Sequence, residues 1–451
     1  MSLGKLDPVQ VGTTAVSAAM QAGADGADAF VRFANELTLE VRNGEIENLK
    51  RATTRGLGLR VTHDGRTAMV HTTDVDGLPL IQLAARAVEI ARAVPRAEEP
   101  VARSAAQEVA AFAHPDPDLV TMPVQSRLEY LLKTEQALRA VSGVTGTYSV
   151  SWGEVDGETA LVNSRGLELY APLCRIECGV EGVAEAEGES YTGGRYAEVP
   201  ARRDLPDPGD FGREAGERAI EMLGARPIAS THAPVIFHRY VGWALLRSIV
   251  GPLLADAVAQ GRSYFADARG TLVASPEVTI RDNPHLRTGP YRRAFDAEGT
   301  PTRDLAIING GRLEHFLTDL KHAGELDLPA TGNAVRDSYD GGVEIGTSNF
   351  YLEPGTLAPG EIIKDTPRGL LLTGLSGWWV GLSPARDEFS SAAMGFWIED
   401  GQPVQAVRGI SIAGSLREML RMIDRVGSDL EPYNGTRTPT FRIADMTIAG
   451  V

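Results

Sequence analysis

Apolar Leu37, Leu39 and Val41 alternate with polar neighbours, the two-residue period of a strand with one buried face. Asn43-Gly44 then reads as a type I′ hairpin turn leading into Ile46 and Leu49. The alternation returns at Leu57, Leu59 and Val61, and Asp64-Gly65 turns the chain into a further strand from Thr67 to Thr72. A helix is predicted ahead of these strands, with Asp7 as its cap, Pro8 in its first turn and Gly23 at its end. A second helix follows them, because Leu80, Leu83, Ala84, Ala87, Val88 and Ala91 fall on one helical face.

Residues 96–120 are rich in Ala, Glu and Pro and carry no clear period. Leu128, Leu131, Leu132, Ala137, Leu138 and Val141 mark a third helix. Short strands are predicted from Thr147 to about Glu187, with turns at Asp156-Gly157 and Ser164-Arg165-Gly166. Asp207 and Pro208 open a helix carrying Phe211, Ala215, Ala219 and Met222, and residues 224–234 form the best domain boundary. Beyond it lie a short apolar strand, Val235 to Phe237, a mostly apolar helix, Val241 to Gln260, and a Gly- and Pro-dense β pattern after Gly270. A capping box at Ser415 and Glu418 starts a last helix, predicted to run through Ile423 and Val426 and to stop at Gly427. The predicted class is α+β: antiparallel strands flanked by helices in the N-terminal part, and a β-rich C-terminal domain with one apolar helix. Domains are predicted at 1–95, 96–224 and 225–451.

A length of 451 residues suits two or three domains at roughly 100–200 residues each. With 43% apolar and 23% charged residues, the chain is neither collagenous nor wholly disordered. Its formal net charge of −16 repels phosphate backbones and anionic membranes unless a basic patch intervenes. The densest basic run, Arg287 to Arg293, holds only three arginines and no lysine. Direct nucleic-acid binding and membrane docking are therefore not expected. If Cys174 and Cys178 share a strand, they lie about 13 Å apart on one face, too far for a disulfide. No other thiol exists, which excludes a disulfide framework or a Cys-rich zinc site and suits a reducing cytoplasm. The N-terminus lacks the apolar core of a signal peptide, and no run of 18 apolar residues is present.

No H-E-x-x-H, G-x-S-x-G, Walker A or G-x-G-x-x-G motif occurs. His315 and His322, near Glu314 and Asp319, have the spacing of one helical face, but two turns (~10 Å) separate them, so surface histidines are the simpler reading. Asp296 and Glu298 could act as paired carboxylates, or could bond backbone N–H groups in a turn before Gly299 and Pro301. Trp378 and Trp379 could wall a peptide cleft, although in a strand one of them would face the core.

Collinear segments along the chain resemble the TldD/PmbA family, also called TldD/TldE or modulator of DNA gyrase. They include ADAFVRF (27–33), RNGEIENLKRATTRGLGLRV (42–61), VNSRG (162–166), the stretch 261–284, FDAEGTPTRD (295–304), ATGNAVR (330–336), TSNFYLEPG (347–355), GFWIEDGQPV (395–404) and TPTFRIADMTIAG (438–450). The resemblance implies a cytoplasmic metallopeptidase assembly acting on peptides, in which one member type carries zinc on an HExxxH helix with a later Cys ligand. The other type, PmbA/TldE, lacks those ligands and pairs with the first. Counting back from the GRS element at 261–263, the HExxxH slot falls on RSIVGP: Arg247 replaces the first His, Ser248 the Glu and Pro252 the second His, while Gly251 is kept. No late Cys exists either. A permanently cationic Arg repels a dication, and Pro offers no donor atom. The segment 376–395 also departs from the family, since only Asp387, Phe389 and Ser390 match its usual element.

The resemblance therefore implies a metal-free, PmbA/TldE-like subunit with no catalytic residue and no cofactor of its own. Its partner would be a zinc-bearing TldD-like chain or a second copy of itself, and its ligand an extended peptide held for proteolysis or maturation. The alternatives are a homodimeric, non-enzymatic binder of unfolded segments or of a topoisomerase complex, and a metal-independent hydrolase using Asp296 and Glu298.

Overall fold

Asp7 caps the first helix as its sequence predicts. In the computed structural model, which describes residues 6–96, 109, 111–377 and 387–451, its carboxylate accepts from the N–H of Val9 at the start of α1 (Pro8–Gln21). The strands β1 (Gly26–Arg42), β2 (Glu45–His63) and β3 (Arg66–Thr72) follow, and α2 (Gly77–Ala93) closes the first unit. Asn43 and Gly44 both take positive φ, as a type I′ turn requires. After α3 (Val124–Arg139) come β4 (Val144–Asn163), β5 (Glu168–Ala186), β6 (Glu189–Val199) and α4 (Pro208–Ile220).

These six strands form one antiparallel sheet, ordered β3-β2-β1-β4-β5-β6. Period-two alternation gives it two different faces. Ala27, Ala29, Val31 and Phe33 of β1 pack into a core with α1 and α2, while Leu37, Leu39 and Val41 of the same strand join a second core with α3 and α4. All four helices thus cover one face. The alternate positions, among them Asp28 and Arg32, face the second half of the chain. The predicted turn at Asp156-Gly157 is instead mid-strand in β4. Gly157 is needed there for close packing, because an added Cβ would lie 2.1 Å from the carbonyl oxygen of Phe33. Cys174 and Cys178 lie on β5 as buried, free thiols.

The second half contains β7 (Thr231–Phe237), α5 (Trp243–Leu253), α6 (Ala255–Ala259), β8 (Ile280–Asp282), β9 (Leu305–Asn309), β10 (Arg312–Leu313), α7 (Leu320–Glu325), β11 (Ala334–Val335), β12 (Glu344–Ile345) and β13 (Phe350–Leu352). It ends with α8 (Pro359–Lys364), β14 (Arg368–Ser376), β15 (Glu388–Glu399), β16 (Gln402–Ser415), α9 (Leu416–Arg421), β17 (Ile423–Val426), β18 (Thr436–Arg437) and β19 (Phe441–Ala449). The sheet β16-β15-β14-β7-β19-β17 also pairs β16 with β19, so five of its strands form a closed ring of pairings. Strands β10-β9-β8-β13-β18 make a second sheet. Leu245, Leu246, Ile249 and Leu253 of α5 fill the core between them with Val235, Phe237, Phe350 and Phe441. The class is α+β, with a β-rich C-terminal half.

Two predicted helices are corrected. The one drawn over 241–260 breaks into α5 and α6 at Leu254, two residues after Pro252, where the backbone is extended and Leu254 bridges to Leu317. The last helix stops at Arg421. Ile423 and Val426 belong instead to β17, which pairs with β19, because their apolar side chains are buried equally well on a strand edge of the same core. Among the described residues, no helix is long and apolar enough to cross a membrane.

The two halves dock through a buried ion cluster and a small apolar seam. Asp28 of β1 is fully buried and lies 2.7 Å from Arg60 Nε of β2 and 3.2 Å from Arg336 Nη2 of the second half. Close by, an added Cβ on Gly58 would lie 1.9 Å from the carbonyl oxygen of Tyr339. Leu161 and Leu167 pack against Ala294 and Phe295. Removing one partner of a buried ion pair leaves the others desolvated without compensation. Asp28→Ala should therefore cost about 3–5 kcal/mol and markedly lower the urea midpoint; an unchanged midpoint would show that the cluster does not hold the halves together.

Candidate functional site

A cavity of about 1250 Å³ opens between the strand face that carries Arg32 and Arg175 and the α5 side of the second half. Strands β1, β4, β5 and β6 supply one wall. Arg218 of α4 borders it beside β6, and the opposite wall comes from α5, Val335 of β11, β18 and the segments 290–293, 336–337 and 431–435. Ten arginines line it against four carboxylates, on a chain whose net charge is −16. The absence of a basic run along the sequence therefore did not mean the absence of a basic surface. The arginines come from positions as far apart as 32 and 437, and only folding collects them.

Aromatic rings and a few acids hold several of these cations. The guanidinium carbons of Arg195, Arg218 and Arg239 lie 4.1, 4.5 and 5.0 Å from the ring centroid of Tyr240, within cation–π range. Glu431 sits between Arg195 Nη2 at 2.9 Å and Arg239 Nε at 3.0 Å. Glu198 accepts from the hydroxyl of Tyr291 at 2.8 Å and lies 3.3 Å from Arg175 Nε. Burial raises the Glu198 carboxyl above its usual range against the pull of Tyr291 and Arg175. Burial also lowers Arg437 to about 10.

The segment 247–252, where the resemblance expects a metal motif, lies on α5 beside this cavity. Arg247 is exposed and lines the wall. Ser248 is buried and donates its hydroxyl to the carbonyl of Ala244 at 2.6 Å, so it faces the helix interior. Pro252 is buried, and its carbonyl accepts from Ser263 Oγ at 2.5 Å. Gly251 adds no side chain between them. A zinc ion needs nitrogen, sulfur or oxygen donors converging at about 2.0–2.3 Å. A cation, an inward-turned hydroxyl and a proline do not fit it. No histidine or cysteine lines the cavity, and Ser348 on its wall donates to Asp282 at 2.8 Å rather than to a base. The described lining residues offer charges and hydrogen-bonding groups, with no histidine or cysteine among them.

Asp296 and Glu298 lie outside the cavity lining, in the turn that the simpler reading predicts. Asp296 Oδ1 accepts from the N–H groups of Glu298 and Thr300, both at 2.9 Å, and Glu298 Oε2 accepts from Leu320 N–H at 2.7 Å. Gly299 takes positive φ in this turn. Burial is the main cause that pushes Asp296 up to about 6 and Glu298 up to about 7. His322 bonds Asp319 at the start of α7. Trp378 and Trp379 fall outside the described residues.

One further cluster had no spacing that would reveal it. His114 Nε2 lies 3.0 Å from Asp156 Oδ1, and Cys174 completes a group whose donor atoms are within 4.8 Å of one another. Burial, reinforced by Asp156, pushes the Cys174 thiol up to about 12, so it is protonated at neutral pH.

A raised carboxyl pKa means that the folded state holds a proton the unfolded state has lost. Stability from Glu298 is thus present at low pH and declines as pH rises from about 4.5 towards about 7. Glu298→Gln should flatten the fall of melting temperature across that window. A parallel fall in both proteins would contradict the assignment.

Three comparisons bear on this arrangement. Residues 27–91, 117–223 and 230–450 match the models of PmbA/TldA metallopeptidase domain 1, central domain and C-terminal domain. The chain is 29% identical over 443 residues to "Metalloprotease PmbA" of Escherichia coli O157:H7, covering 97% of this chain and 95% of that one. It is 27% identical over 405 residues to a "Metalloprotease" of Methanothermobacter thermautotrophicus, covering 86% and 85%. The crystal structure of TldE from Thermococcus kodakarensis shares the fold with a TM-score of 0.87 at 21% identity, covering 96% of this chain and 99% of that one.

Proposed function

Because the chain belongs to the PmbA/TldD metallopeptidase family, we propose that it is the metal-free subunit of a peptidase assembly, one that binds extended peptide for a zinc-bearing TldD-like partner to cut. The observation that carries this reading is the donor set on α5. Arg247, Ser248 and Pro252 stand where the resemblance places the two metal-binding histidines and the general base. A dication would face a guanidinium and no lone pair aimed at it. The cavity beside α5 then serves binding, with main-chain strand addition to the β-rich half as the mode for an extended peptide. A cytoplasmic location goes with this reading, supported by two free, buried thiols.

Purified alone, the chain should cleave no peptide. Mixed with a zinc-bearing partner it should support cleavage, and a chelator should abolish that activity. Cleavage by the pure chain that persists after chelation would overturn the proposal.

A further inference from the structure

The cavity's charge does more than exclude a metal. Of its ten arginines, Arg218, Arg247, Arg292, Arg293 and Arg437 have no carboxylate within ion-pair distance among the described residues. Arg247 makes no hydrogen bond there and is exposed to the cavity. Arg437 is only 6% exposed. Its guanidinium carbon lies 5.6 Å from the ring centroid of Tyr351, but its Nε has no hydrogen-bond partner and a single 3.5 Å contact joins its Nη1 to the carbonyl of Tyr433. An unpaired, desolvated guanidinium is unfavourable in the empty protein, and that cost is relieved when an anion arrives. Low-dielectric walls focus the field of such charges into the cleft. Guanidinium forks match carboxylates bidentately.

We propose that this cleft is a receptor for acidic peptide segments, with Arg247, Arg437 and their unpaired neighbours taking the side-chain carboxylates of Asp and Glu. The proposal rests on the reading of the cavity as a peptide-binding wall and adds its substrate class. Two features favour a peptide over nucleic acid. The volume of about 1250 Å³ lies inside a cleft and is sized for a short extended segment rather than a duplex. Glu181, Glu198, Glu431 and Asp337 also line the wall, and their charge disfavours a continuous phosphate backbone. The phenol groups of Tyr196 and Tyr291 add exposed aromatic surface against which a peptide can lie.

The test uses the full chain alone, without partner or metal, and fluorescence anisotropy of labelled peptides. The probes are an Asp/Glu-rich peptide, its Asn/Gln isostere, both again with amidated C-termini, and a single-stranded oligonucleotide of equal charge. At low ionic strength (about 0.05 M) the acidic peptide should bind at least about tenfold more tightly than the isostere, and most of that margin should vanish near about 0.3 M salt. Arg247→Gln, on an exposed position, should remove about five- to tenfold of acidic-peptide affinity while leaving the isostere unchanged. Arg437→Lys should retain part of the preference, and Arg42→Gln, in the β1–β2 hairpin away from the cleft, should change nothing. Equal binding of peptide and isostere, loss of the preference on amidation, or stronger binding of the oligonucleotide would each overturn the proposal. Acidic preference by the chain alone, with no cleavage in the partner mixture, would defeat the companion-subunit reading and leave this one standing.

Discussion

Asp28 is the point on which the architecture turns. A carboxylate with no solvent contact is tolerated only when cations surround it, and here they come from two directions: Arg60 from its own sheet and Arg336 from the second half of the chain. Glu298, 4.0 Å from Arg60 Nη1, extends the cluster across the same junction. This contact fixes how the polar face of the first sheet meets the β-rich half. The cleft is the space left beside it. Its walls keep their spacing because Arg32 also donates to the carbonyl of Asp337, and Tyr291 to Glu198, across the gap.

That geometry gives α5 its meaning. The helix is anchored by Leu245, Leu246, Ile249 and Leu253 in the core of the second half, so its orientation is set by apolar packing and not by any ligand. Position 247 therefore looks into the cleft whatever residue occupies it. With Arg there, the position contributes positive charge to a wall already rich in arginine. An arginine at this position offers a guanidinium where a dication would need a lone pair.

Much of the fold could be read from residue patterns. The alternation through Leu37–Val41 and Leu57–Val61, the Asn43-Gly44 turn and the caps at Asp7, Asp207 and Ser415 all express local physics, and each has its counterpart in the structure. Three features were not legible locally. Asp156-Gly157 resembles a turn, but strand pairing on both sides overrides it. The stripe Leu416–Val426 suits a helix or an edge strand, and pairing with β19 decides for a strand over its last part. The polar positions that alternate with the β1 and β5 core residues look like solvent-facing ones, yet Arg32 and Arg175 line the cleft. The site was half legible. The order of family-like segments drew attention to 247–252, and Arg247 lines the cleft, whereas the arginine wall is a product of tertiary assembly with no footprint in any short window.

The central claim is that α5, where the resemblance places the metal motif, offers no coordination sphere for a catalytic dication. Zinc measured by elemental analysis on the purified chain, prepared without its partner, tests it most directly. The account predicts no stoichiometric zinc. One zinc ion per chain, held by the chain's own side chains, would contradict it.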